Sequence, residues 1–199
     1  MKTAQIINGY QAGQDLPEAT TLREAVVLLD RLVEEPSFLD AWIPRLLDEA
    51  KQAKGWYVAR RIDAPDRSLS VQIFVWPPGT GTRIHDHAAW GALRPVVGSV
   101  LERRYERLDD STVPEHARLN KSWELTWARE DGASTVLPYD GGIHSISNFG
   151  DKTAITVHLY GPRQEIDGRD YDLSRDYVCD RHDDDEPEPG LARAGREAR

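Results

Sequence analysis

Apolar residues recur along the chain with two different periods, and the change between them falls at Gly55. Before it the period is helical. Leu22, Ala25, Val26, Leu28, Leu29 and Leu32 share one face. Thr20 or Thr21 can cap this helix, and Glu24 stands three residues after Thr21, as a capping box requires. Pro36 breaks the pattern. A second helix is predicted over about 39–53, with Trp42, Ile43, Leu46 and Leu47 on one face and Gly55 as its stop. Residues 1–19 show no periodicity and read as an irregular lead-in.

After Gly55 the period shortens to two. Residues 56–62, 69–76, 83–87, 92–105, 122–128, 134–137, 143–148 and 153–160 read as strands. Turn chemistry separates them, including Pro77-Pro-Gly79, Glu130-Asp-Gly132 and Asp140-Gly-Gly142. Many short strands at this spacing predict an all-β sandwich or barrel, with both helices packed outside. From about Asp172 the composition turns to charge. The expected organisation is one domain over 1–175, with helices at about 20–54 and a barrel at about 56–161. An acidic, disordered tail is expected over 176–199.

A chain of 199 residues with 39% hydrophobic content can bury one core. The net charge of −9 argues against a nucleic-acid or anionic-membrane partner, since both need a basic patch. The single cysteine, Cys179, excludes an internal disulfide and a cysteine-based zinc site. The first ten residues lack a signal-peptide core and no segment is long enough to span a bilayer, so a cytoplasmic protein is expected. Composition sets no oligomeric state.

Of six histidines, His116 and His182 fall in loop or tail and read as exposed. His85 and His87 lie two apart on a predicted strand, so both imidazoles face one point, as a metal requires. A lone pair of this kind is equally a pair of hydrogen-bonded structural histidines. His144 changes that balance. It follows Gly141-Gly142 at the start of another strand, and a barrel can bring it opposite the pair. Imidazole suits Fe(II), Zn(II), Ni(II) and Cu(II), so the ligands alone do not choose the metal. Thr156, His158 and Tyr160 stand at i, i+2 and i+4, so hydroxyl, imidazole and phenol can form a hydrogen-bond relay. The alternative is three polar residues on a solvent-facing strand.

Gly79-x5-His85-x-His87, with Gly98 further on, is similar to the first cupin motif, and Gly141-x2-His144-x3-Asn148 to the end of the second. Most cupins carry a metal-binding glutamate between these histidines and that glycine; the spacing places it at Gly91. The stretch His85-Asp-His87-Ala-Ala-Trp90-Gly91 resembles bacterial members of the cysteine dioxygenase family, 3-mercaptopropionate dioxygenases among them. Thr156-Val-His158-Leu-Tyr160 is similar to their Ser-x-His-x-Tyr segment, with Thr for Ser. The resemblance covers roughly residues 20–170.

It implies a cupin barrel, the double-stranded β-helix or jelly roll. It implies Fe(II) held by His85, His87 and His144. The reaction implied adds both atoms of O2 to the sulfur of a small thiol carboxylate, 3-mercaptopropionate or cysteine, to give a sulfinate. Tyr160, with His158 and Thr156 behind it, is the implied catalytic group. The carboxylate partners implied are Arg60 on an early strand and Arg169, nine residues after Tyr160, with Trp90 walling the pocket. Many mammalian-type members crosslink the tyrosine to a cysteine. That position corresponds here to Gly91, so no crosslink is expected. The competing expectation is a non-catalytic cupin that binds a metal or small ligand. Another metallo-cupin enzyme ranks lower, because those usually keep the glutamate.

Overall fold

Thr21 starts the first helix as the sequence predicts. In a computed structural model that describes residues 21–35, 42–110 and 112–180, its hydroxyl accepts from the Glu24 backbone N–H at 3.3 Å. The Glu24 carboxylate returns a bond to the Thr21 N–H at 3.0 Å. A cap of this type stabilises a helix by about 1 kcal/mol. Helix α1 spans Leu22–Glu34 and buries Ala25, Leu28, Leu29, Leu32 and Val33. Helix α2 spans Ile43–Ala50 with Pro44 in its first turn. It is shorter than expected at its C-terminal end, and residues 39–41 lie outside the described residues. No helix among the described residues is long and apolar enough to cross a membrane.

Eleven strands follow among the described residues. They are β1 (Tyr57–Asp63), β2 (Ser70–Trp76), β3 (Ile84–His85), β4 (Gly91–Val97), β5 (Ser99–Arg107) and β6 (Leu119–Ala128). Then come β7 (Ser134–Val136), β8 (His144–Ser147), β9 (Ala154–Tyr160), β10 (Arg169–Asp172) and β11 (Tyr177–Asp180). Two antiparallel sheets form, ordered β1-β2-β9-β4-β7 and β11-β10-β3-β8-β5-β6. From β2 to β5 and again from β6 to β10 successive strands alternate between the two sheets, while β5–β6 and β10–β11 are pairs within one sheet, which is jelly-roll winding of the cupin kind. The all-β core with helices outside is thus the architecture found.

The core has two main layers. Leu29, Leu32 and Leu46 from the helices pack on Val71, Ile73, Val75, Ile155 and Val157, the outer face of the five-stranded sheet. Between the sheets lie Phe74, Trp76, Leu93, Val100 and Ile146. With both faces covered, β2 and β9 are buried almost throughout, including the polar Gln72, Thr156 and His158 on the inner face.

Three expectations are corrected. The stretch 92–105 is two strands in different sheets, because Gly98, at φ +64°, turns the chain between them. The His85 strand is two residues long, so His87 sits just beyond its end. The tail does not begin at 176. Tyr177–Asp180 pairs with β10, and β10 pairs in turn with β3. Residues 181–199 lie outside the described residues.

Candidate metal centre

β3 and β8 pair antiparallel with His85 directly opposite His144. Directly opposed residues share a sheet face. His87 follows two residues after His85 and returns to that side, leaving the two ring centroids 4.7 Å apart. The donor atoms of His85, His87 and His144 all lie within 4.8 Å of one another, the one cluster of metal-ligating type among the described residues.

Hydrogen bonds fix which nitrogens face the cluster. His85 Nδ1 lies 2.9 Å from the Arg83 carbonyl, which only accepts, so Nδ1 carries the hydrogen and Nε2 keeps its lone pair. His144 Nδ1 lies 2.7 Å from Glu102 Oε1, with the same consequence. The Nε2 atoms of His87 and His144 stand 3.0 Å apart. Two imidazole nitrogens about 2.1 Å from one ion and roughly at right angles are separated by about 3 Å. The donor set therefore fits a small transition-metal ion with open positions.

Glu102 is the functional residue that the sequence reading missed. It is fully buried on β5. Its Oε1 faces His144 and the Arg104 Nε, 2.8 Å away. Its Oε2 accepts from Trp127 Nε1 at 2.9 Å and Ser134 Oγ at 2.5 Å. Burial raises the carboxyl's pKa, but bonds and charge from His144, Arg104 and Ser134 outweigh it, and the group stays ionised below the usual range. A carboxylate behind a ligating histidine fixes its tautomer and raises its basicity.

The relay on β9 is formed. Trp76 Nε1 donates to Thr156 Oγ1 at 2.8 Å, Thr156 Oγ1 lies 2.7 Å from His158 Nε2, and His158 Nδ1 lies 3.0 Å from the Tyr160 hydroxyl. Indole only donates, so Thr156 keeps its own hydrogen for His158. Burial, with a smaller push from His144, lowers the His158 imidazole to about 3. The ring is therefore neutral wherever the protein is folded at ordinary pH. Tyr160 reaches the metal cluster: its ring centroid is 5.3 Å from that of His87.

Gly91 lies beneath that ring. A Cβ there would stand 2.8 Å from Tyr160 Cδ1 and 2.9 Å from Cε1. Any side chain at 91, glutamate or cysteine included, conflicts with this tyrosine position. Around it His87, Leu93, Val136, His144, His158 and Tyr160 enclose about 10 Å³, room for little more than one small atom. A larger hollow of about 390 Å³ opens on the far side of Ser134, lined by Arg104, Trp123 and Trp127. His87, His144, His158 and Tyr160 line the smaller space, and none of them lines the larger one.

The three residues expected at the substrate are placed as follows. Arg60 is on the outer face of β1, with its guanidinium 4.5 Å over the Trp42 ring. A register shift between Val58 and Arg60 changes the strand's parity, so Arg61 and not Arg60 falls opposite Gln72. Gln72 pairs with His158, His158 with Leu93 and Leu93 with Ser134. Arg61, Gln72 and His158 therefore share one inner row, with Arg61 Nε bonded to Asp63 at 3.0 Å. Trp90 packs into the helix-side core and over Gly161. Arg169 engages Asp86 and Asp140. None of Arg60, Arg61, Trp90 and Arg169 borders the small space, and Arg61, though on the Gln72 face of the sheet by register, is exposed.

Comparison with known proteins adds the family. The cysteine dioxygenase type I family matches residues 47–172. The chain belongs to that family. It thereby belongs among dioxygenase-type, metal-dependent cupins, and the matched span holds every residue of the cluster and relay. Solved structures give fainter likenesses. Oxalate oxidase with the substrate analogue glycolate aligns at 17% identity and TM-score 0.43, covering 57% of this chain and 54% of that one. The chain thus spans about half the length of that enzyme. A Cupin 2 conserved barrel domain protein from Salinispora arenicola aligns at 14% identity and TM-score 0.37, covering 51% of this chain and 72% of that one.

Proposed function

We propose that this cysteine dioxygenase family member is a non-haem iron thiol dioxygenase. Its reaction adds both atoms of O2 to the sulfur of a small thiol carboxylate, 3-mercaptopropionate or cysteine, to give a sulfinate. The observation that carries this reading is an all-imidazole donor set beside a tyrosine held by a neutral histidine. Among the described residues no carboxylate donor belongs to the cluster. Held by His85, His87 and His144, Fe(II) supplies a redox-active Lewis acid whose charge neutral ligands leave uncompensated, which favours a thiolate partner. The reaction balances without a co-reductant, because sulfur gives up the four electrons that O2 accepts.

The protein's own groups position and protonate. Trp76 and Thr156 hold the His158 ring, and His158 holds the Tyr160 hydroxyl 3.0 Å from Nδ1. Tyr160 Oη can then present its hydrogen to the reacting end of the substrate. Because His158 is neutral, it orients the phenol without adding a charge. Arg61 and Gln72, on the inner row beside His158, are the groups we assign to the substrate carboxylate. Substrate needs more room than the small space offers, so side chains around it must shift on binding.

Oxygen uptake with ferrous iron and a panel of thiols tests the reading. One sulfinate should form for each O2 consumed, fastest with a thiol carboxylate. No uptake with any thiol overturns it and leaves the alternative of a non-catalytic metal-binding cupin.

A further inference from the structure

Asp86 stands between the paired histidines yet points away from them and is fully buried. A buried carboxylate must be compensated. Arg169 meets it twice, through its backbone N–H to Oδ1 at 2.6 Å and through Nε to Oδ2 at 2.7 Å. The Tyr171 hydroxyl donates to Oδ2 at 2.7 Å. Arg169 then reaches further. Its Nη2 donates to Asp140 Oδ1 at 2.6 Å. Asp140 lies four residues before His144, in the turn that delivers β8. One guanidinium therefore ties the loop carrying His85 and His87 to the turn carrying His144.

That tie answers a local weakness. β3 is two residues long, and His87 lies beyond its end. Its backbone is held by scattered bonds: Asp86 N–H to the Arg169 carbonyl and Tyr139 N–H to the His87 carbonyl, both at 2.9 Å. A short ladder alone does not fix where an imidazole points. A planar fork between two carboxylates does.

We propose that Arg169 is a positioning residue: through Asp86 and Asp140 it braces the two ligand-bearing segments against each other and sets the spacing of the three imidazoles. The inference rests on the metal-centre reading of those histidines and is independent of which thiol reacts. It differs from the role that the spacing after Tyr160 implies, a grip on the substrate carboxylate, and the two roles separate in measurement.

The test compares Arg169→Gln, Arg169→Lys and Asp140→Asn with the parent chain, titrating each metal-free protein with Co(II) against a competing chelator. Absorption bands of the bound ion report ligand geometry, and thermal unfolding of the metal-free forms runs alongside. Arg169→Gln should weaken Co(II) by about 10–100-fold and reshape the bands. Arg169→Lys, which keeps the charge but loses the fork, and Asp140→Asn should each lose less. KM for the thiol carboxylate at saturating ferrous iron should stay at the parent value. Unchanged Co(II) affinity and bands in Arg169→Gln and Asp140→Asn overturn the brace, whether or not KM moves. If Arg169→Gln does not fold, Arg169→Lys and Asp140→Asn decide in the same way. If the parent turns over no thiol, the Co(II) titration still decides, so failure of the brace is distinct from failure of the dioxygenase reading.

Discussion

Glu102 Oε1 lies 2.7 Å from His144 Nδ1, and both groups are buried. The carboxylate holds the third imidazole in the tautomer that leaves Nε2 free, while Arg104, Trp127 and Ser134 hold the carboxylate. Glu102→Gln keeps the shape and removes the charge. Its amide can also turn an N–H toward His144, which favours the wrong tautomer. Metal affinity should fall by about 10–100-fold, with a loss of stability on the order of 1–3 kcal/mol from the uncompensated Arg104. Zn(II) competition against a chelator and urea unfolding of the metal-free protein check the two effects separately.

Tyr160→Phe removes the end of the relay and nothing else that the structure shows to be needed for the metal cluster. Metal affinity should match the parent, while kcat falls by about 10²-fold or more if Tyr160 Oη handles a proton in the rate-limiting step. Steady-state oxygen uptake at saturating ferrous iron measures this. Parent-level kcat would remove the relay from the chemistry.

The neutral His158 makes stability depend on pH. Its folded value is about 3 against an ordinary 6.5, so between those values the unfolded chain binds the extra proton. Stability from this group is therefore full above about pH 6.5 and declines as pH falls toward 3. At pH 5 the loss amounts to about 2 kcal/mol. Urea unfolding of metal-free parent and His158→Asn at pH 7 and pH 5 gives the test. The parent should lose more stability between the two than the variant, and equal losses would contradict the burial argument.

Much of this centre was legible in the residues, and what was not has identifiable causes. The histidines could be found because an i, i+2 pair and a Gly-Gly turn constrain direction without knowledge of the fold. Glu102 could not, because Leu101-Glu-Arg-Arg104 reads as a solvated charged strand. The available signal was parity: Val100, Glu102 and Arg104 share one face, and Val100 is core. Arg60 and Arg61 are adjacent on one strand, and only the register shift between Val58 and Arg60 decides which of them falls opposite Gln72. A bulge of this kind leaves no mark in the side chains. Strand β11 fell in the stretch read as a charged tail, and β10, rich in charge, carries no period-two apolar pattern, although Asp86 and Arg169 neutralise one another beside the β3–β10 pair.

Gly91 offers a prediction about the missing fourth ligand. A methyl group there meets Tyr160 ring carbons at 2.8 and 2.9 Å and Val136 at 3.2 Å. Gly91→Ala should cost about 1–3 kcal/mol and push the phenol off the His158 bond. Activity should then fall toward that of Tyr160→Phe while metal affinity holds. Thermal unfolding with oxygen uptake measures both. Normal turnover in a stable Gly91→Ala protein would show that the ring position is not required.

The two arginines of β1 give the sharpest contrast, because one register shift sends them to opposite faces. Arg60 stacks on Trp42 outside the barrel, while Arg61 stands in the row of Gln72 and His158. If Arg61 receives the substrate carboxylate, Arg61→Met should raise KM for a thiol carboxylate by about 10-fold or more with metal affinity intact, as loss of a charged hydrogen bond predicts. It should leave a thiol without a carboxylate, such as 2-mercaptoethanol, unaffected. Arg60→Met should change stability slightly, through the lost contact with Trp42, and leave KM alone. The opposite pattern would mean that the register shift at Ala59 does not set which guanidinium the substrate meets.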